Sequence, residues 1–251
     1  AMGVVLAPGD EILVPDPGYT TFSMSPRMLS AVPVPYALRA ETGFLPEPER
    51  IEALITPRTR AIIVNSPSNP LGTVLDHAAA TAILDLAARH DLWIISDEVY
   101  ESLVWSEAHV SLAALDSIAT DGRGGRVLGV FSTSKTYAMT GVRVGWLTVP
   151  AGLTDTMRTV QEAMISCVST PGQHAAVAAL TGPQDAVDAA RLHYLANLEA
   201  ASALLTERGM GHLVPGGAFY LWIDVSHASG GDVAAWAERF LREQRVAVAP
   251  G

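Results

Sequence analysis

RVLGVFSTSKTYAMTGVRVGW (126–146) decides how this chain is read. It begins as an apolar strand and turns through small, hydroxylated residues around Lys135. It then enters a second apolar run carrying Arg143. VLGVF is apolar on both faces, as a parallel sheet covered by helices on both sides requires. A lysine in this setting is unusual, because lysines are mostly exposed. Desolvation of a lysine so placed would favour the neutral amine, the form that attacks a carbonyl. Arg143, read as part of the next strand, is a half-buried guanidinium in need of an anion. Phosphate matches it in shape and charge. The plainer alternatives are a lysine that reaches solvent and an arginine paired with a glutamate.

Working outward, strands are expected at EILVP (11–15), AVPVPY (31–36), RAIIVN (60–65), LWIIS (92–96) and VRVGWLTV (142–149). Helices are expected near 19–29, 48–54, 76–90, 152–166 and 172–181. Strands alternating with helices predict an α/β fold, a mostly parallel sheet sandwiched by helices. Beyond residue 183 the texture changes. A long helical pattern over 182–209 is ended by Gly209 and Gly211. HLVP, AFYLWIDV and RVAVAP follow as short strands, with a helix near 231–243. The expected division is a large domain over 1–183 and part of a smaller α+β unit over 184–251. DGRGG (121–125) reads as a surface turn.

In α/β sheets, ligands bind outside the carboxyl ends of the strands. Three more segments lie at such ends. DPGY (16–19) is a turn followed by Tyr19, by itself a core tyrosine. NSPSNPLG (65–72) holds its backbone away from helix geometry and can aim an asparagine into a pocket. SDEVYES (96–102) puts Asp97 directly after an apolar strand, where an ionised carboxylate needs a partner. The competing reading makes Ser96 or Asp97 the N-cap of a short helix.

Taken together and in this order, these segments resemble the fold-type I pyridoxal-phosphate enzymes, and most of all the class I/II aminotransferases. PGDEILVPDPGYTTF, NSPSNPLGTVL, DLWIISDEVYESLVW, FSTSKTYAMTGVRVGW and PGGAFYLWIDV carry the resemblance over essentially the whole chain. It implies pyridoxal 5'-phosphate as cofactor and transfer of an amino group between an α-amino acid and a 2-oxo acid. By resemblance, Lys135 is the Schiff-base lysine and proton shuttle, and Asp97 binds the pyridine nitrogen. Tyr100 and Asn69 bond the cofactor's phenolic oxygen, and Asn69 also touches the substrate carboxylate. Tyr19 stacks on the ring, while Ser132, Arg143 and, less directly, Ser134 hold the phosphate. Gly216-Gly217 would lie on the rim of the substrate pocket. Two positions depart from the family pattern: Leu71 replaces a common threonine, and Val142 a usual tryptophan.

The same resemblance implies a homodimer, and a cytoplasmic location is expected. Both ends of the chain look cut. The family's glycine-rich phosphate loop is expected before Ala1, and its carboxylate-binding arginine beyond Gly251. Other fold-type I activities, such as a carbon–sulfur β-lyase, share these residues. So does a non-catalytic sensor domain of a regulator.

Composition narrows the field. A formal net charge of −10 over 251 residues repels nucleic acid and anionic lipid. With 49% hydrophobic and 17% charged residues the chain is too apolar for disorder. No apolar run approaches the roughly 18 residues of a membrane span. One cysteine, Cys167, excludes an internal disulfide and points to a reducing compartment. It lies in an apolar run and is expected in the core. The seven histidines show no metal-ligand spacing. The tryptophan and tyrosine residues from Tyr220 onward are expected as core.

Overall fold

A computed structural model describes residues 1–105, 108–120 and 125–251. Six strands form the main sheet: β1 (Glu11–Asp16), β2 (Val32–Ala37), β3 (Thr59–Asn65), β4 (Trp93–Asp97), β5 (Val127–Ser132) and β6 (Gly145–Thr148). Their order is β2-β1-β3-β4-β5-β6, and every pair is parallel except β5 with β6. Around them lie α1 (Met2–Val5), α2 (Thr21–Met28), α3 (Pro48–Glu52), α4 (His77–Arg89), α5 (Leu112–Ala119), α6 (Thr154–Ile165) and α7 (Thr170–Thr181). The chain then runs through α8 (Asp185–Glu207), the two-stranded β7 (His212–Leu213) and β8 (Trp222–Ile223), α9 (Ser226–Ser229) and α10 (Val233–Gln244).

The period-two alternation of the strands divides the core between the two faces of the sheet. Leu13, Ile62, Val64 and Ile94 pack with Ile51 of α3 and with Ile83 and Leu86 of α4. Their chain neighbours Ile12, Val14, Ala61, Ile63 and Ile95 face the other way, against Phe22 of α2. Each fully buried Ile or Leu contributes roughly 1.5–3 kcal/mol. The two prolines of β2, Pro33 and Pro35, fit because β2 is an edge strand. Short polar side chains start the helices. Asp76 accepts from the Ala79 N–H at 2.7 Å and Ser111 from the Ala114 N–H at 3.1 Å.

The structure corrects several expectations. Helix α5 follows no strong apolar period. It is fixed by tertiary contact, its Asp116 accepting the Arg126 and Val127 N–H groups at 2.8 and 3.0 Å at the start of β5. Strand β6 starts only at Gly145. Thr140–Val142 form a 3₁₀ turn, and Arg143 has a left-handed backbone with φ +59° and is exposed. Arg143 is therefore neither in a strand nor half-buried. Cys167 is exposed. It sits in the bend between α6 and α7, where the Ser166 backbone (φ +58°) turns the chain outward. RVAVAP (245–250) is irregular, and AFYLWIDV pairs only at Trp222–Ile223. Apart from Gly125, the DGRGG turn lies outside the described residues. Among the described residues, no helix is long and apolar enough to cross a membrane.

Residues 215–218 are sewn between two loops at the carboxyl edge of the sheet. The Gly72 carbonyl accepts the Gly216 and Gly217 N–H groups, both at 2.9 Å. The Ala218 N–H donates to Leu103 O at 2.7 Å, and the Trp105 N–H to Gly216 O at 2.8 Å. There is no room for a side chain at Gly217. A Cβ there would stand 2.8 Å from Leu103 O and from Pro67 Cβ. Gly217→Ala is expected to cost about 1–3 kcal/mol. It should lower the thermal midpoint and speed proteolysis within 215–220, and an unchanged melting curve with unchanged cleavage would show the fit to be slack.

Candidate active site

Register across the sheet sets the site. Asn65 at the end of β3 stands beside Asp97 at the end of β4, and Asp97 beside Val130 of β5. The carboxyl ends of three adjacent parallel strands thus share one edge, where the following loops gather their polar side chains.

The loop after β3 is anchored by Asn65, whose role the sequence reading missed. Its Nδ2 donates to Asp97 O at 3.0 Å and to Pro67 O at 3.2 Å. Its Oδ1 accepts the Asn69 N–H at 2.7 Å. One side chain thereby ties Asn69 to the backbone that carries Asp97. The doubled asparagine in NSPSNP was the available signal.

No helix follows β4, so the N-cap reading of Ser96 and Asp97 fails. The two adjacent acids there have opposite surroundings. Burial alone would push Glu98 up. Hydrogen bonds from His109, Ser111 and Ser96 outweigh it and hold Glu98 below the usual carboxylate range. Ser96 Oγ lies 2.8 Å and His109 Nε2 2.9 Å from its carboxylate. Asp97 accepts a hydrogen bond from the Val99 N–H at 3.3 Å. Burial pushes it up to about 6, against the pull of that bond and of the Lys135 charge. Two neighbouring carboxyls driven apart in this way mark different jobs. Glu98 is structural glue, while Asp97 is an acid short of a cationic partner.

Lys135 lies in the loop after β5. That loop is held by three donors converging on the Val144 carbonyl: the Thr133 N–H at 3.3 Å, Thr133 Oγ1 at 3.1 Å and Ser132 Oγ at 3.3 Å. Lys135 Nζ stands 5.6 Å from the Tyr100 ring centroid and 5.8 Å from that of Phe219. Tyr100 is 2% exposed, and its hydroxyl lies 2.5 Å from that of Tyr220. Burial, with the Tyr220 hydrogen bond second, pushes the Tyr100 hydroxyl well above the ordinary tyrosine range. The Asn69 side chain works the other way.

Asn69, Asp97, Tyr100 and Lys135 therefore gather at one place. Tyr19 is 47% exposed, which rules out a core tyrosine, and its ring meets Phe22 edge-on at 5.7 Å. Tyr19 and Asp97 both lie near enough to raise the Tyr220 hydroxyl, after burial as the main cause. Ser132 and Ser134 are linked, the Ser134 N–H donating to Ser132 Oγ at 3.0 Å. Arg143 is turned onto its own loop, Nη1 donating to Thr140 O at 2.9 Å. Tyr220 was expected as core and instead borders the site, together with Phe219. The PGG ahead of them was the signal, since it lets the backbone approach the two loops closely.

These residues suit pyridoxal phosphate. A buried carboxylate with few donors matches a protonated ring nitrogen. A lysine amine stands beside it, and Tyr100 and Asn69 offer donors for a phenolic oxygen.

The chain matches the family described as aminotransferase class I and II over residues 1–251. It is 37% identical over 248 residues to the arginine–pyruvate transaminase AruH of Pseudomonas aeruginosa, covering 98% of this chain and 62% of that protein. It is 36% identical over 250 residues to the aspartate/prephenate aminotransferase of Thermus thermophilus, covering 98% and 63%. The solved aspartate aminotransferase from Thermus thermophilus with maleate superposes with a TM-score of 0.90 at 35% identity, over 98% of this chain and 63% of that one. The chain thus spans somewhat under two thirds of the length of these relatives. Its parallel sheet, the acid and lysine on adjacent strand ends and these likenesses agree: the chain belongs to the class I and II aminotransferases.

Proposed function

We propose that the protein transfers an amino group between an α-amino acid and a 2-oxo acid, using pyridoxal 5'-phosphate. The observation that carries this reading is the pairing of Asp97, an acid short of a cation, with Lys135 on the neighbouring strand end. The cofactor supplies an aldehyde for the substrate amine and a cationic ring that accepts the electron pair left at Cα. Asp97 keeps the ring nitrogen protonated, and its under-solvated carboxylate gains the partner it lacks. Lys135 would hold the cofactor's aldehyde carbon through Nζ, and that amine, when free, would be placed to take up and return the substrate's Cα proton, so one group would serve as base and acid. Tyr100 and Asn69 donate to the phenolic oxygen and fix the ring's tilt. Tyr19 covers the ring face, Ser132, Ser134 and Arg143 hold the phosphate, and Asn69 also meets the substrate carboxylate. Arg143 must swing from its own loop to do so.

The proposal includes a division into a cofactor-binding unit over 1–183 and part of a smaller unit over 184–251. It also includes a homodimer in the cytoplasm, with the amino and 2-oxo acids as its small-molecule partners. Exposed Met164, Ile165, Val177 and Leu180 on α6 and α7 support a second copy of the chain as cover.

Two predictions follow from these roles. Lys135→Ala should abolish the visible absorption band of the cofactor-loaded protein and its borohydride-stable labelling. Turnover should fall about 100- to 10,000-fold. Labelling that persists would refute the assignment of Lys135. Release of ammonia and pyruvate from a sulfur amino acid, without amino-group exchange, would instead assign a carbon–sulfur lyase.

The second concerns Asp97 and pH. Its carboxyl is raised from 3.8 to about 6 by burial, so the folded state holds the proton more tightly than the unfolded chain. Ionisation therefore costs stability progressively as pH rises from about 4 through about 6. In cofactor-free protein, Asp97→Asn should raise stability by about 1–3 kcal/mol above that window, with the gain vanishing toward its acid end. Turnover should collapse at the same time. A variant that melts lower and turns over normally would make Asp97 a structural residue.

A further inference from the structure

Tyr220 stands 120 residues away in sequence from the tyrosine it touches. Its hydroxyl lies 2.5 Å from that of Tyr100, and the rings meet at 5.8 Å between centroids with planes 78° apart. The contact is not a chance of a flexible tail. Residues 216–218 are bonded on one side to Gly72, at the end of the Asn69 loop, and on the other to Leu103, three residues past Tyr100. Ala218 is fully buried in a left-handed backbone (φ +57°), which fixes the direction of the two residues that follow. Phe219 packs on Tyr100 at 5.5 Å and stands 5.8 Å from Lys135 Nζ. The segment thus puts a hydroxyl against the back of the tyrosine that faces the cofactor.

We propose that Tyr220 is a positioning residue of the cofactor site: its hydroxyl donates to the Tyr100 oxygen and so strengthens Tyr100 as the donor to the cofactor's phenolic oxygen. This rests on the transaminase reading given above. The chemistry follows from what a hydroxyl offers, one donor and two lone pairs. Without the cofactor Tyr100 donates to Tyr220, which is why their bond raises the Tyr100 hydroxyl. Once Tyr100 turns its proton to the phenolic oxygen, its lone pairs remain to be satisfied in a buried place and the shared bond reverses, either oxygen being able to donate. A donor delivered there polarises the Tyr100 O–H, and such chains strengthen one another in a low dielectric. The charged and titratable groups facing the pair are Asp97 from β4, Lys135 from the loop after β5, and Tyr19 ahead of α2. All three stay in place when the Tyr220 oxygen is removed.

The test uses the protein loaded with pyridoxal phosphate and reads the pH midpoint of its visible absorption change. A donor to the phenolic oxygen favours the deprotonated form of the chromophore, so a weakened donor moves the midpoint to higher pH. Tyr220→Phe keeps the ring and should move it up by about 0.5 pH unit, the size of one neutral hydrogen bond. Tyr100→Phe should move it further. The double variant should match Tyr100→Phe alone, because Tyr220 acts only through Tyr100. An unmoved midpoint in Tyr220→Phe overturns the inference, and so do additive shifts. In either case an intact visible band leaves the transaminase reading standing. Failure of the parent protein to take up the cofactor overturns both.

Discussion

A carboxylate at the end of an apolar parallel strand must find a cation or give up its charge, and Asp97 is held in that position. Its strand is buried over Ile94–Ser96, and Asp97 at its end is itself mostly covered. Its backbone oxygen is engaged by Asn65, which pins the residue from β3. A carboxyl driven up to about 6 is the cost in the bare protein. Natural folds tolerate such a local conflict where a ligand resolves it. The neighbouring Glu98, with its own set of donors, shows that the chain can satisfy a buried acid at this edge when the acid serves the fold.

The rest of the site is built so that this acid meets its partners at fixed range. Convergent bonds onto the Val144 carbonyl hold the lysine loop on one side, and Asn65 holds the asparagine loop on the other. Both devices are short, local and backed by rigid strands, which suits a site that must orient a flat ring. The segment 215–220 differs in kind. It comes from far along the chain, is bound by backbone hydrogen bonds to both loops, and depends on Gly72 and Gly217 having no side chains. Anything that shifts it shifts Tyr220 and Phe219 with it.

Much of this was legible beforehand. Continuous apolar runs in EILVP, AIIV and LWII gave strands that are buried along their length, as a sheet covered by helices on both sides requires. Asp97 and Lys135 stood out because each lies at the end of a strand in the sheet, whereas Tyr100 and Asn69 were singled out by the family resemblance. Other elements were misjudged where local pattern and tertiary context part. Arg143 sits in an apolar run that reads as strand, yet the turn before it sends its backbone left-handed and its side chain outward. Cys167 has apolar neighbours, yet the bend after α6 exposes it. Helix α5 lacks a strong period and is held by one buried aspartate, Asp116.

The sequence by itself determined the class of fold and most of the order of its elements, and it named the candidate reacting groups. Hydrophobic periodicity and residue chemistry are local properties, written along the chain. Only the tertiary structure decided that Asp97 is short of donors while Glu98 is not, and that Tyr220 reaches Tyr100. Those facts depend on which distant segments come into contact, and a one-dimensional pattern carries burial but not the partner on the other side.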